Sequence, residues 1–362
     1  MITLEALQKI GHDDAVHSEG FVLDKQTMRL ASSSAELLDD LRSFFCPYIS
    51  HGDKAAKPAR ICDITHVENQ TIFDLIKSNL PASPDRLIPT SLNHDVDYNL
   101  RFFRSELGDA SVIEDALLGL LYVTLNHGQD IMIVSAAGSR TRTGVLRLIR
   151  SLWVLGHSAP ILHGCVVAKQ GRGIAIAGNK YAGKTTSLLN LCTTRGYNIV
   201  ANDRAMLVAD TPGKRLKAVG VPTVVNIRRN TVKPFPNFHH LFDASLYSVG
   251  DLAKALNVPI TRDVEIGAVV FLSYLSTCDA PQTRRLSPDE AHQILATHLL
   301  STKEYEWANE VSSNRTLTKR PATANPPVLD AVPCFELKSN ETQLEAVASI
   351  LDTWCQSGLS DV

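Results

Sequence analysis

Eight consecutive residues, Gly178-Asn179-Lys180-Tyr181-Ala182-Gly183-Lys184-Thr185, constrain this chain more than any other stretch of it. They match G-x-x-x-x-G-K-[ST] at every fixed position. The apolar run Gly173-Ile174-Ala175-Ile176-Ala177 before them reads as a strand, and Thr186-Ser187-Leu188-Leu189-Asn190-Leu191 after them reads as a helix. A strand delivered by a tight loop into a helix is the setting in which such a loop cradles phosphate. The two glycines let the backbone turn and bring N–H groups against oxygens. The helix aims its positive end at the same point. Lys184 supplies a point charge for the β- and γ-phosphates, and Thr185 a hydroxyl for Mg²⁺. A chance match in 362 residues is on the order of one in a hundred. Gly178 through Thr186 are therefore the expected nucleotide-binding set, with ATP and Mg²⁺ as ligands.

Composition narrows the rest. The formal net charge is −2, which offers no broad nucleic-acid surface. The longest apolar stretches fall short of the ~20 residues that span a bilayer, so no membrane partner is expected. Seven scattered cysteines, none in a CxxC pair, read as reduced, mostly buried thiols. The opening residues MITLEALQKIGHDDAV lack the apolar core of a secretory signal. A cytoplasmic location is the expectation.

Two further segments surround the loop in sequence. Tyr197-Asn198-Ile199-Val200-Ala201 is an apolar strand ending in Asn202-Asp203-Arg204, with a second strand at Ala205–Val208. An acid at such a strand end can hold Mg²⁺ or take a proton from an attacking hydroxyl. The competing reading is an Asn-Asp turn between two strands. Ile161-Leu162-His163-Gly164-Cys165-Val166 is a strand whose histidine, taken alone, reads as a satisfied core residue. Arg228, Arg229 and Lys233 form a basic cluster after a strand expected at Val221–Ile227, either solvated charge or a phosphate-binding group. His239-His240 is a poor metal site if extended, because strand neighbours point to opposite faces.

These elements resemble the catalytic domain of HPr kinase/phosphorylase, which shares a mixed-sheet P-loop fold with phosphoenolpyruvate carboxykinase. The residues that carry the resemblance are Leu162-His163-Gly164, Gly171-Arg172-Gly173, the P-loop, Arg195-Gly196 and Ala201-Asn202-Asp203-Arg204. It covers roughly 161–208, with Asn226-Ile227-Arg228 matching further on. The resemblance implies a divergent kinase that moves the γ-phosphoryl group of ATP to a hydroxyl. Its acceptor would be a small molecule or a serine of a peptide or protein. By the same likeness Lys184 and Thr185 take the P-loop roles, Asp203 is the second acid of the family's pair, and His163 and Arg228 lie near the transferring group. Asn202 stands where the family has its first acid, and Leu216-Lys217-Ala218-Val219-Gly220 lacks the family's carboxylate. Asp203 then does the work of base, or the chemistry differs. Two other readings follow from that loss: a non-catalytic ATP-binding regulator, and a P-loop ATPase.

The expected organisation is an α/β chain. A mixed-sheet kinase domain at 139–362 is preceded by a smaller α+β domain at 1–138 that recognises substrate or partner. In the first half, strands are expected over 19–31, 60–68, 98–103 and 130–135. A Ser34-capped helix should bury Leu37, Leu38, Leu41, Phe44 and Phe45. Residues 79–96 read as loop, 112–125 as an apolar helix, and Arg101-Phe102-Phe103-Arg104 as an edge strand. A helix over 141–155 reads as a bridge, with Arg142, Arg147 and Arg150 largely off its apolar face. In the second half Ser287-Pro288-Asp289-Glu290 opens a helix with a capping box, and 311–330 reads as an exposed loop. A homo-oligomer is compatible with all of this.

Overall fold

The computed structural model describes residues 17–23, 26–48, 59–92, 96–104, 110–157, 159–210, 215–242, 247–301, 303–312, 329 and 332–357. The chain forms two compact units. One is Met1–Ser158 with Ser301–Ala322, the other Ala159–Leu300 with Thr323–Val362.

The first unit holds an eight-stranded sheet in the order β1-β2-β3-β8-β7-β6-β5-β4. Its strands are β1 (His17–Leu23), β2 (Gln26–Ser32), β3 (Ala59–Glu68), β4 (Arg86–Leu92), β5 (Val96–Arg104), β6 (Ser111–Asp115), β7 (Leu120–Leu125) and β8 (Asp130–Ser135). β2, β3 and β8 run parallel, and the other pairs antiparallel. Helix α1 (Ala35–Phe45) begins where Ser34 accepts from the Leu37 N–H and buries the five residues its spacing marks. Helix α2 (Gln70–Ser78) starts at Asn69, whose Oδ1 accepts from the Ile72 N–H at 3.1 Å.

Several expectations fail here for identifiable reasons. The apolar run 112–125 is a hairpin of β6 and β7, not a helix. Val112, Ile113, Val123 and Thr124 favour strands. The turn between them closes where Asp115 Oδ1 accepts from the Leu118 N–H at 3.0 Å and Gly119 takes φ +72°. The stretch 79–96 contains β4, an edge strand on which Pro89 costs no ladder bond to a further neighbour. That places the Arg101–Arg104 segment, in β5, between β4 and β6 rather than at an edge.

Helix α3 (Thr141–His157) lies in the first unit and buries two of the three arginines placed largely off its apolar face. Arg147 pairs with Asp115 at 3.1 Å and donates to Tyr98 and Thr90. Arg150 pairs with Glu304 at 3.2 Å. Arg142 is exposed and paired with Asp40.

In the second unit, β9 (Ile161–Lys169), β10 (Arg172–Ala177), helix α4 (Lys184–Arg195), β11 (Asn198–Asp210) and β12 (Arg215–Gly220) follow in order. A two-stranded ribbon of β13 (Val224–Val225) and β14 (Tyr247–Ser248) flanks the one-turn helix α5 (Arg229–Val232). Then come α6 (Val249–Leu256), β15 (Asp263–Tyr274), β16 (Gln282–Arg285), α7 (Pro288–His298), β17 (Leu299–Leu300), β18 (Cys334–Ser339) and α8 (Leu344–Ser357). The sheet is mixed: β9 is antiparallel to β10 and β11, while β15 is parallel to β10 and β18. Because β15 also pairs with β12, the path β10-β9-β11-β12-β15 returns to its start.

Alternation along the strands gives the sheet two buried faces. Ile174, Ile176, Val270 and Leu272 join Leu188, Leu191, Leu252 and Leu351 of the helices on one. Ala175, Ala177, Val269 and Phe271 join Leu295 of α7 on the other. The expected strand at Val221–Ile227 shrinks to β13, since Pro222 has no N–H to offer a ladder. In the expected loop 311–330, Val311, Ser312 and Leu329 are buried, and 313–328 lie outside the described residues.

Candidate functional site

β10 is fully buried from Ile174 to Ala177 and delivers the chain to Gly178. A Cβ on Gly178 would sit 2.3 Å from the Leu272 carbonyl oxygen, so only glycine lets the loop start against β15. Gly183 takes φ +95° as the N-cap of α4, and Tyr181 takes φ +72° between them. The loop closes through Ala182 N–H to the Asn179 carbonyl at 3.1 Å, and the helix opens with Ser187 N–H to the Gly183 carbonyl at 2.8 Å. Lys184 Nζ donates to the carbonyls of Gly178 (2.7 Å) and Asn179 (3.2 Å), which fixes the ammonium against the loop. Thr185 and Thr186 follow, half-buried in the first turn of α4.

β9 brings in the histidine. Gly164 follows it because a Cβ there would lie 2.6 Å from the Ile176 carbonyl oxygen of β10. Along the other edge of β9, Asn202 faces Cys165, Asp203 faces Gly164 and Arg204 faces His163. Asp203 is not at a strand end or in a turn between two strands, as the sequence suggested. β11 is one continuous strand through it, and Asp203 takes φ +113° within the ladder. Its Oδ1 lies 3.3 Å from His163 Nε2, and its Oδ2 lies 3.4 Å from Nε of the buried Arg204.

Electrostatics couple this pair to the loop. Burial holds the Lys184 ammonium below its usual range, and Asp203 pulls it back up. Cys165, which donates to the Lys184 carbonyl at 3.3 Å, is pushed up to about 12 by burial. It is thus a neutral thiol at ordinary pH, and Asp203 is the charge that matters to the lysine.

The other candidates fall around the same loop. Arg228 lies with its guanidinium 4.8 Å from the Tyr181 ring centre, and Lys180 Nζ is 5.8 Å from the same ring. Tyr181 itself is 73% exposed, unusual for a large aromatic side chain unless something stacks on it. Asn202 is buried, and its Oδ1 has no hydrogen-bond partner among the described residues. His239 lies in a 3-10 turn, Pro236–Phe242, not in a strand. Among the described residues no group of three or more His, Cys, Asp or Glu side chains could hold a metal.

Two neighbours were given no role from sequence. Arg204, named there only as the last residue of the Ala201–Arg204 motif, lies against Asp203. His298, the last residue of α7, stacks on Phe271 with ring centres 6.0 Å apart and planes 20° from parallel. Burial, then the charges of Lys184 and His163, hold it below the usual histidine range. Nothing in its sequence surroundings marks it, because its nearness to the loop is made by strand pairing.

No protein-family model matches this chain, and no curated protein does. Among solved structures, the HPr(Ser) kinase/phosphatase from Coxiella burnetii aligns with 53% of this chain and 94% of its own, at 11% identity and a TM-score of 0.30. A likeness at that score carries no weight, so a function must rest on the residues just described.

Proposed function

We propose that this chain is an ATP-dependent kinase of the HPr-kinase-like type, transferring the γ-phosphoryl group to a hydroxyl of a small molecule or of a serine in a peptide or protein. One observation carries the reading. Strand register sets Gly164 between Ala177, the residue before the loop, and Asp203, and Asp203 is paired with His163. A nucleotide loop and a carboxylate–imidazole pair at one place are the parts that phosphoryl transfer to a hydroxyl needs.

In this reading the N–H groups of Gly178 to Thr186 cradle the phosphates. Lys184 draws charge from the β- and γ-phosphoryl oxygens. Asp203 takes the proton of the acceptor hydroxyl as its oxygen bonds to the γ-phosphorus. The bond from that phosphorus to the bridging oxygen breaks, and ADP leaves with the electron pair. Arg204 holds Asp203 in place, His163 faces the transferring group, and Arg228 swings from Tyr181 to the acceptor or its phosphate. Positioning and charge stabilisation supply most of the rate. The second unit carries the chemistry, and the first recognises the acceptor or a partner.

The residues fit Mg²⁺. Thr185 Oγ1 and Asp203, both hard oxygen donors, would hold it. When bound, the ion neutralises charge on the phosphate oxygens. The absence of a larger acidic cluster among the described residues suits a metal shared with the nucleotide rather than caged by protein.

Asn202 also favours a second reading, a nucleotide-binding regulator that has lost its first acid. The test is γ-labelled ATP and Mg²⁺ with wild type and Lys184→Ala, against small-molecule and protein fractions of cells that make the natural acceptor. Label entering one fraction with wild type alone supports the kinase and names the acceptor class. ATP binding without any transfer supports the regulator. Steady phosphate release with no acceptor present would instead indicate an ATPase.

A further inference from the structure

β9 is paired along one edge first by β10 and then by β17. β10 ends with Ala177 opposite Gly164, and β17 begins with Leu299 opposite Leu162. His163 is the position between them. The P-loop leaves the edge at Gly178, and α7 arrives on it at His298, so both flank His163. The His298 ring is held flat against Phe271, and Phe271 is the register partner of Ala177, the last residue before the loop. Strand register and ring stacking thus converge on one placement, at the base of the phosphate loop.

Three nitrogen donors then lie around that base: Lys184 at the start of α4, His163 on β9 and His298 at the end of α7. The carboxylate that bears on Lys184 is Asp203, and it already pairs with Arg204 and His163. Nitrogen donors gathered in this way are completed by an anion that carries more than one charge, to which a neutral imidazole N–H still donates. The loop's own register sets where that anion sits. Lys184 reaches the β/γ end of a nucleotide, so groups gathered around it meet the terminal phosphate rather than the base.

We infer that His298 binds the terminal phosphate of the nucleoside triphosphate from the side opposite Asp203 along β9, and so sets the preference for triphosphate over diphosphate. The inference rests on Gly178–Thr186 being a nucleotide site, and not on the transfer reaction. The blander alternative is a histidine at a helix C-terminus that only packs on Phe271.

The experiment is calorimetric titration of ATP and of ADP, with Mg²⁺, into wild type and His298→Gln. Loss of one charge-assisted contact to phosphate corresponds to roughly tenfold in affinity. His298→Gln is expected to weaken ATP by about that factor and to leave ADP within about twofold. An unchanged ATP-to-ADP ratio in the folded variant overturns the inference, as does an equal loss for both nucleotides. Should the variant fail to fold, the His298 ring proton signals of wild type decide. A shift with ATP that ADP does not reproduce supports the contact, and no difference refutes it. The kinase reading fails separately: wild type that binds ATP but labels no acceptor removes the kinase while leaving the His298 contact standing.

Discussion

Asp203 is held at φ +113°, a region costly for any residue with a side chain, at about 1–3 kcal/mol. Such strain persists where the surroundings over-determine it, here the ladder to β9 and the pairings to His163 and Arg204. Replacing Asp203 by Ala or by Gly removes the same carboxylate, but only Gly also removes the strain. Asp203→Gly is therefore expected to be more stable than Asp203→Ala by about 1 kcal/mol, read from denaturant midpoints, with transfer abolished in both. Equal stabilities would mean the backbone relaxes freely at this position. Asp203→Asn separates two roles, because an amide can still ligate a metal but cannot take a proton. Retained Mg·ATP binding with lost transfer identifies a base, and loss of both identifies a metal ligand. The P-loop was legible because its chemistry is written at fixed spacing. The bend at Asp203 was not, since an Asn-Asp pair has the same composition in a turn as inside a ladder.

Three parallel strands of the first unit end on a polar bridge inside the core. His66 of β3 lies between Ser32 of β2 (Nδ1 to Oγ 3.0 Å) and Ser135 of β8 (Nε2 to Oγ 3.1 Å), and all three are fully buried. Burial lowers the histidine from 6.5 to about 4. The unfolded chain therefore binds the extra proton at pH values where the folded one does not. Stability contributed by neutral His66 is whole above pH 6.5 and falls as pH drops toward about 4, by about 3 kcal/mol in all. His66→Gln can still bridge the two serines and does not titrate, so its stability curve is expected to be flatter across that window. A slope equal to wild type would assign the acid sensitivity to other groups. This element, like the β6–β7 hairpin, shows where pattern reading runs out. The run 112–125 is apolar at nearly every position because both its faces are buried, and such a run has no period to distinguish a strand from a helix. Helices α1 and α7 carried explicit start signals, Ser34 and the Ser287/Glu290 box, and were legible for that reason.

At the scale of the whole chain, the residues proposed to touch nucleotide lie between His163 and His298, all within the second unit, while the Ser32–His66–Ser135 bridge lies in the first. Sequence could not anticipate that 301–322 group with the first unit, because a return of the chain leaves no local periodic trace. A ligand that binds only the folded state stabilises what it touches, by about 2.7 kcal/mol at a hundredfold excess over its dissociation constant. Hydrogen exchange with Mg·ATP present should therefore slow in β9, β10, α4 and the Asn202–Arg204 stretch of β11, where the loop and its partners are hydrogen-bonded together. The amides of β2, β3 and β8 should exchange at their ligand-free rate. Lys184→Ala should lose the protection in the second unit and leave the first as it was. Protection spreading equally into β2, β3 and β8 would mean that both units open as one cooperative body, with nucleotide bound in the second stabilising all of it. Protection confined to the second unit would make the first a separately stable module. That outcome suits a recognition unit that must bind its acceptor whether or not ATP is loaded.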